Sequence, residues 1–188
     1  MIIPYLVSHG GHEHGPDDEL LAQRTVLVHG EIDEQVANVA TAKILYLQHR
    51  DPAKEIRIFL DSPGGSVTGA LAIYDVMRFV KNEIATYALG QTGGMAVLLL
   101  AAGTKGKRFA LPHARFTFTP LTRGPGAVQT QEVEVARLRT NIFKLLSQHT
   151  GQPFEVVERL HSTLTHRGAA EAVQLGLVDE VVTAIPGS

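Results

Sequence analysis

The stretch EIRIFLDSPGGSVTGALAIYDVMRFV, residues 55–80, decides the fold. Ile56 to Asp61 is a short apolar run of the strand type, SPGGS is a turn built on paired glycines, and the remainder carries apolar residues at helical spacing. The same order recurs downstream, with strand IATYALG (84–90), turn QTGG (91–94) and apolar helix MAVLLLAAG (95–103). Upstream, TVLVHGEI reads as a strand, and Asp33 is the expected N-cap of EQVANVATAKILYLQHR. There Val36, Val39, Ile44 and Leu47 form the expected apolar stripe. Strand and helix alternate, which predicts an α/β fold with parallel pairing and right-handed crossovers.

Further along, the later part of KRFALPHARFTFTP alternates like a strand, and the Gly/Pro-rich link LTRGPGAVQ follows. A long amphipathic helix is expected from Gln131 to about His149, with Val135, Leu138, Ile142 and Leu145 on one side. A helix AAEAVQLG and a strand LVDEVVT close the chain. Residues 1–18, rich in Gly and His, are expected to form a mobile arm, with order beginning near Glu19 and one domain filling 19–188.

At 188 residues and 44% hydrophobic content the chain is large enough for one core without metals or bridges, and it has no cysteine. A net charge of -2 gives no basic field for nucleic acid. The longest apolar run, MAVLLLAAG, is about half of the roughly 20 residues that a membrane span needs, so it is expected to be a buried helix. The first residues lack the basic start and long apolar run of a signal peptide, and the expected location is cytoplasmic.

The two glycine turns, at the carboxyl ends of successive strands, bring the N–H groups of Gly65 and Met95 together if those strands are neighbours. Converging N–H groups at helix starts hold an oxyanion; the alternative is that these glycines only permit positive φ in tight turns. Neither a GxxxxGK[ST] nor a clean GxGxxG motif supports a phosphate cradle. Ser62, Ser66 and Thr92 are the candidate nucleophiles near the turns, and each needs a histidine base held by a third group. No histidine matches on sequence grounds: His113, His149 and His166 are read as surface or packing residues. His9, His12 and His14 are read as a mobile arm without fixed supporting partners, the alternative being a weak metal site. No cofactor is expected.

Four collinear motifs, DSPGGSVTGALAIYDVMRFV, AAGTKGKRFALPHAR, HTGQ and EAVQLGLVDEVV, together closely resemble the ClpP family, the chamber subunits of the ATP-dependent Clp protease. The resemblance runs from about Leu20 to Val182. It implies the ClpP/crotonase fold, a spiral of ββα units with a protruding helix-strand handle, assembled into stacked heptameric rings. It also implies partnership with AAA+ unfoldases of the ClpX, ClpA or ClpC kind.

The departures concern the chemistry. Family members carry GxAASMG with serine as the nucleophile, and here GQTGGMA puts Gly94 at that position. Their histidine lies in MIHQP after an arginine, and counting from Arg115 puts Thr119 there. Their aspartate lies in RDxF, and counting back from Gly176 puts Leu164 there. Glycine has no side-chain oxygen, threonine is no general base near neutral pH, and leucine cannot orient an imidazole. SPGG and Met95 still match, so the resemblance carries the oxyanion-hole roles to the backbones of Gly65 and Met95.

The expected handle, about residues 120–149, is about four residues shorter than is typical of the family, roughly one helical turn. It also gains Pro125, which has no N–H for an extended peptide. The arm lacks the residues that order the family's axial loop.

The leading expectation is a catalytically silent subunit, comparable to the ClpR proteins that share mixed rings with active ClpP. The alternatives are an active ClpP-type serine endopeptidase, or a crotonase-like enzyme that uses the same oxyanion turn on acyl thioesters.

Overall fold

The structure, a computed structural model, describes residues 7–9, 12–14, 16–119 and 132–186. Strands β1 (Val7–His9) and β2 (His12–His14) pair antiparallel, and helix α1 (Pro16–Ala22) begins before the expected start near Glu19. The link from Pro120 to Gln131, Pro125 included, lies outside the described residues.

Among the described residues the main sheet has seven strands. β3 (Thr25–His29), β4 (Ile56–Ser62), β5 (Ile84–Gly93), β6 (Arg108–Ala110) and β9 (Glu180–Val181) run parallel in that order. β7 (Arg115–Phe118) pairs parallel with β5 and antiparallel with β8 (Thr165–Gly168). The parallel alternation read from the sequence is present, with an antiparallel β7–β8 pair added to it.

One irregularity explains how β5 serves two partners. Its pairing with β4 slips between Leu60 opposite Ala88 and Ser62 opposite Thr92. The Asp61 carboxylate fills the bulge and accepts the Gln91 N–H at 2.9 Å. Before the bulge, Thr86–Ala88 pair with β6; after it, Gln91–Gly93 pair with β7. A bulge adds residues to one strand and bends it. Here it aims the end of β5, and hence Gly94, towards β7. The expected turn over 91–94 is therefore three more residues of strand and a sharp corner at Gly94.

Helix α2 (Glu34–Arg50) starts as expected, with Asp33 Oδ1 accepting the Val36 N–H at 2.8 Å. Its core face differs from the expected stripe. Ala37, Ala40, Ile44 and Leu47 are buried, while Val39 is 45% exposed. The spacing is helical in both readings, but Ala37 lies close against Gly69 of α3 (Val67–Phe79), and small residues are what that approach accommodates. Helix α4 (Met95–Ala101) is buried along its whole length, as expected of a core helix. α5 (Glu132–Thr150) contributes Ile142, Phe143 and Leu146 to the same core, and α6 (Phe154–Leu160) packs beside it. The last helix, α7 (Ala169–Gln174), leads into β9, which covers two residues of the expected LVDEVVT.

Arg108 ties the carboxyl-terminal elements together from a position only 4% exposed. Its Nη1 donates to the carbonyls of His149 and Gly176 at 2.9 and 2.8 Å, and its Nη2 meets Asp179 Oδ1 at 2.6 Å. Asp179 also accepts the Gly106 N–H at 2.7 Å. Burial pushes the Asp179 carboxyl up, but the Arg108 bonds and the Gly106 N–H outweigh it and hold the group below its ordinary value. Among the described residues no helix is long and apolar enough to cross a membrane.

Candidate functional site

Two glycine turns meet at the carboxyl ends of β4 and β5. Ser62, fully buried, accepts the Gly64 N–H on its hydroxyl at 3.1 Å and so shapes the first turn. A methyl group on Gly64 would stand 2.8 Å from the Gly93 carbonyl oxygen and 3.0 Å from the Met95 nitrogen, so the two turns are in direct contact. Gly65 has φ +142°, and a Cβ there would lie 2.5 Å from the Ile32 carbonyl oxygen. Its neighbours are pinned to the same residue, since Ile32 N–H donates to Gly64 and Ser66 N–H donates to Ile32. Among the described residues neither the Gly65 nor the Met95 N–H has a backbone acceptor.

Gly94 forms the corner between β5 and α4, with φ 48° and ψ -124°. Its N–H donates to the Thr117 carbonyl at 3.1 Å, which fastens the corner to β7. L-residues rarely occupy this backbone region, and where they do the strain marks a functional turn such as a nucleophile elbow. Here there is no side chain to present. A Cβ at Gly94 would have Pro63 O at 3.2 Å, Gly64 Cα at 3.6 Å and Thr119 Oγ1 at 3.8 Å.

The antiparallel register runs from Arg115 opposite Gly168 to Phe118 opposite Thr165, so Thr119 and Leu164 are the residues that follow β7 and precede β8. Gly94 and Thr119 are therefore neighbours, with Thr119 Oγ1 3.8 Å from where a Cβ on Gly94 would stand. Leu164 is 60% exposed, with no polar atom to offer its neighbours.

Among the described residues the candidate nucleophiles do not meet a base. Ser66 is spent on the N-cap of α3, accepting the Gly69 N–H at 3.1 Å. Thr92 is fully buried, and its hydroxyl has no partner among the described residues. Ser62 bonds only within its own turn.

The histidines sit elsewhere. His149 Nε2 is hydrogen-bonded to the Tyr74 hydroxyl at 2.9 Å, and burial, with Arg78 and Arg108, pushes its pKa down. His113 is exposed in the turn before β7. His166 Nδ1 lies 3.2 Å from Thr117 Oγ1, across the β7–β8 pair. The side chains of His9, His12 and His14 lie outside the described residues.

Three features escaped the sequence reading. The first is β8: TLTHRG is short and polar, without an apolar face to mark a strand. The second is Asp61, which meets His29 Nδ1 at 3.3 Å while closing the β5 bulge; its signal was an acid at the end of an apolar strand. The third is His161, buried between Phe118 and Phe143 with ring centroids 5.1 and 4.9 Å away. Its Nδ1 donates to the Val157 carbonyl at 2.9 Å. Burial pushes its pKa down, more than the Val157 bond raises it.

The Gly65 and Met95 N–H groups, without a backbone acceptor among the described residues, lie at two touching turns whose corner is a glycine. Among the described residues no side-chain pair is placed to activate a hydroxyl beside it.

The sequence matches the Clp protease family over residues 10–184. It is 41% identical to the ATP-dependent Clp protease proteolytic subunit 2 of Chlamydia pneumoniae, over 97% of this chain and 93% of that protein. The proteolytic subunit 2 of Chlamydia muridarum is 40% identical and the proteolytic subunit 1 of Chlamydia felis 39%, each with the same coverage. Together with the mixed sheet and its two glycine turns, these similarities establish that the chain belongs to the Clp protease family.

Proposed function

We propose that this chain is a catalytically silent, ClpR-like subunit of an ATP-dependent Clp protease. It builds or modulates the ring-shaped chamber and leaves peptide-bond hydrolysis to a serine-bearing ClpP partner. The observation that carries the reading is the corner at Gly94: the turn is kept and Thr119 lies beside it, while the family's third position falls by sequence on Leu164. A serine triad needs a nucleophile, an imidazole in hydrogen-bond reach and a group to orient that imidazole. None of the three side chains can take its part.

On this reading Gly65 and Met95 keep the oxyanion-hole backbone, and the site binds peptide carbonyls without cleaving them. The chain works in the cytoplasm, in stacked heptameric rings shared with active ClpP, and meets an unfoldase of the ClpX, ClpA or ClpC type. Membership of the Clp protease family and about 40% identity to Clp proteolytic subunits support the assembly part of the proposal.

The test is to incubate the purified chain with a fluorophosphonate probe and a fluorogenic peptide, alone and after mixing with an active ClpP. The chain is expected to take no label and to release no fluorophore alone. Labelling of this chain would overturn the proposal in favour of an active endopeptidase. Binding of an acyl-CoA by calorimetry, without binding of peptide, would favour the crotonase-like alternative.

A further inference from the structure

One face of the β7–β8 pair carries Thr117 and His166 and continues to Arg115 and Gly168. At that far end lies a cavity of about 400 Å³, lined by Pro112, His113, Arg115, His166, Arg167 and their small neighbours. Its polar side chains are two guanidinium groups and two imidazoles, and among the described residues no carboxylate lines it.

Arg167 is held in place: its Nη1 donates to the His166 carbonyl at 2.9 Å and its Nε lies 3.4 Å from Glu171, at the margin. His166 is turned by its bond to Thr117. Arg115 has no acidic partner among the described residues. A guanidinium offers N–H donors in a planar fork that fits carboxylate and phosphate oxygens two at a time, and charge-assisted bonds of this kind are the strong ones.

We propose that this cavity binds the oxyanion group, carboxylate or phosphate, of a small ligand, with Arg115 as the principal contact and Arg167 and the two histidine rings as further donors. The proposal is independent of whether the chain cleaves peptides, since none of these residues belongs to the oxyanion turn or to Gly94.

The test is isothermal titration of the full chain, in its assembled form and at constant ionic strength, with inorganic phosphate in one arm and succinate in the other. Saturable binding of one anion per chain is expected in at least one arm, and the responding arm identifies the group. Arg115→Gln should weaken it at least tenfold, whereas Lys144→Gln, on the exposed side of α5, should leave it unchanged. Arg115→Lys, which keeps the charge and loses the fork, should fall between and guards against a misassembled glutamine variant; particle size and melting temperature are checked for each. No saturable binding in either arm would overturn the proposal, as would equal weakening by Lys144→Gln and Arg115→Gln.

Discussion

Replacing Gly94 with alanine tests whether the corner between β5 and α4 is the strained turn described above. At φ 48° and ψ -124° an L-residue is disfavoured, and holding one in such a region costs on the order of 1–3 kcal/mol. The new Cβ also meets the Pro63 carbonyl oxygen at 3.2 Å, which requires that turn to give by a few tenths of an ångström. Against this, alanine restricts the unfolded chain, which stabilises by about 0.4–1 kcal/mol where the backbone suits it.

The net loss is about 1–2 kcal/mol. For a chain of this size that corresponds to a fall in melting temperature of roughly 2–8 °C. The assay is thermal unfolding at fixed protomer concentration, because assembly makes the midpoint concentration-dependent. Gly94→Ser should lose a similar amount and should still take no fluorophosphonate label, because no imidazole adjoins the new hydroxyl. An alanine variant as stable as the parent would refute the strained corner, and a serine variant that labels rapidly would refute the absence of a base.

Three further expectations follow from the hydrogen bonds. Ser62→Ala leaves the buried Gly64 N–H without its 3.1 Å acceptor, a loss of about 1–3 kcal/mol measurable by denaturant unfolding. Asp179→Asn leaves the buried Arg108 guanidinium without its counter-charge, and about 3 kcal/mol of destabilisation is expected on the scale of broken buried pairs.

Because the folded Asp179 carboxyl is held below its ordinary value, its contribution is fully present above the unfolded carboxyl's pKa of about 3.9 and is lost as pH falls through the lower folded value. His161 and His149 act in a higher window. Both are pushed down on folding, so their contribution is present above the unfolded imidazole's value of about 6.5 and is lost as pH falls below it towards their folded values. Unfolding midpoints measured between pH 7 and 5 should fall in the parent and fall less steeply in His161→Leu.

The strand-turn-helix rhythm was legible because each unit carries its own local signals: Asp33 and Ser66 cap helices in the usual way, and the apolar run of α4 is too short for anything but a core. The glycine turns were legible for the same reason.

What the sequence did not disclose depends on pairing between distant segments. Val39 looked like a core residue by hydrophobicity, but the close packing of α2 on α3 selects Ala37 and Ala40 for the interface. β8 has no amphipathic pattern, and its existence follows from β7, whose free edge it covers. The same pairing sets Phe118 opposite Thr165, a proximity that counting along either segment alone could not give. His166 illustrates the point in the other direction: its partner is Thr117, on another strand and 49 residues away.

The central claim is that this chain supplies architecture to a protease whose chemistry lies in another subunit. Native mass spectrometry of the particle recovered with the tagged chain from its own cells tests it most directly. The account predicts mixed rings in which this chain sits beside a ClpP subunit that carries serine at the corner occupied here by Gly94. A particle made only of this chain that degrades a tagged substrate together with an unfoldase would contradict it.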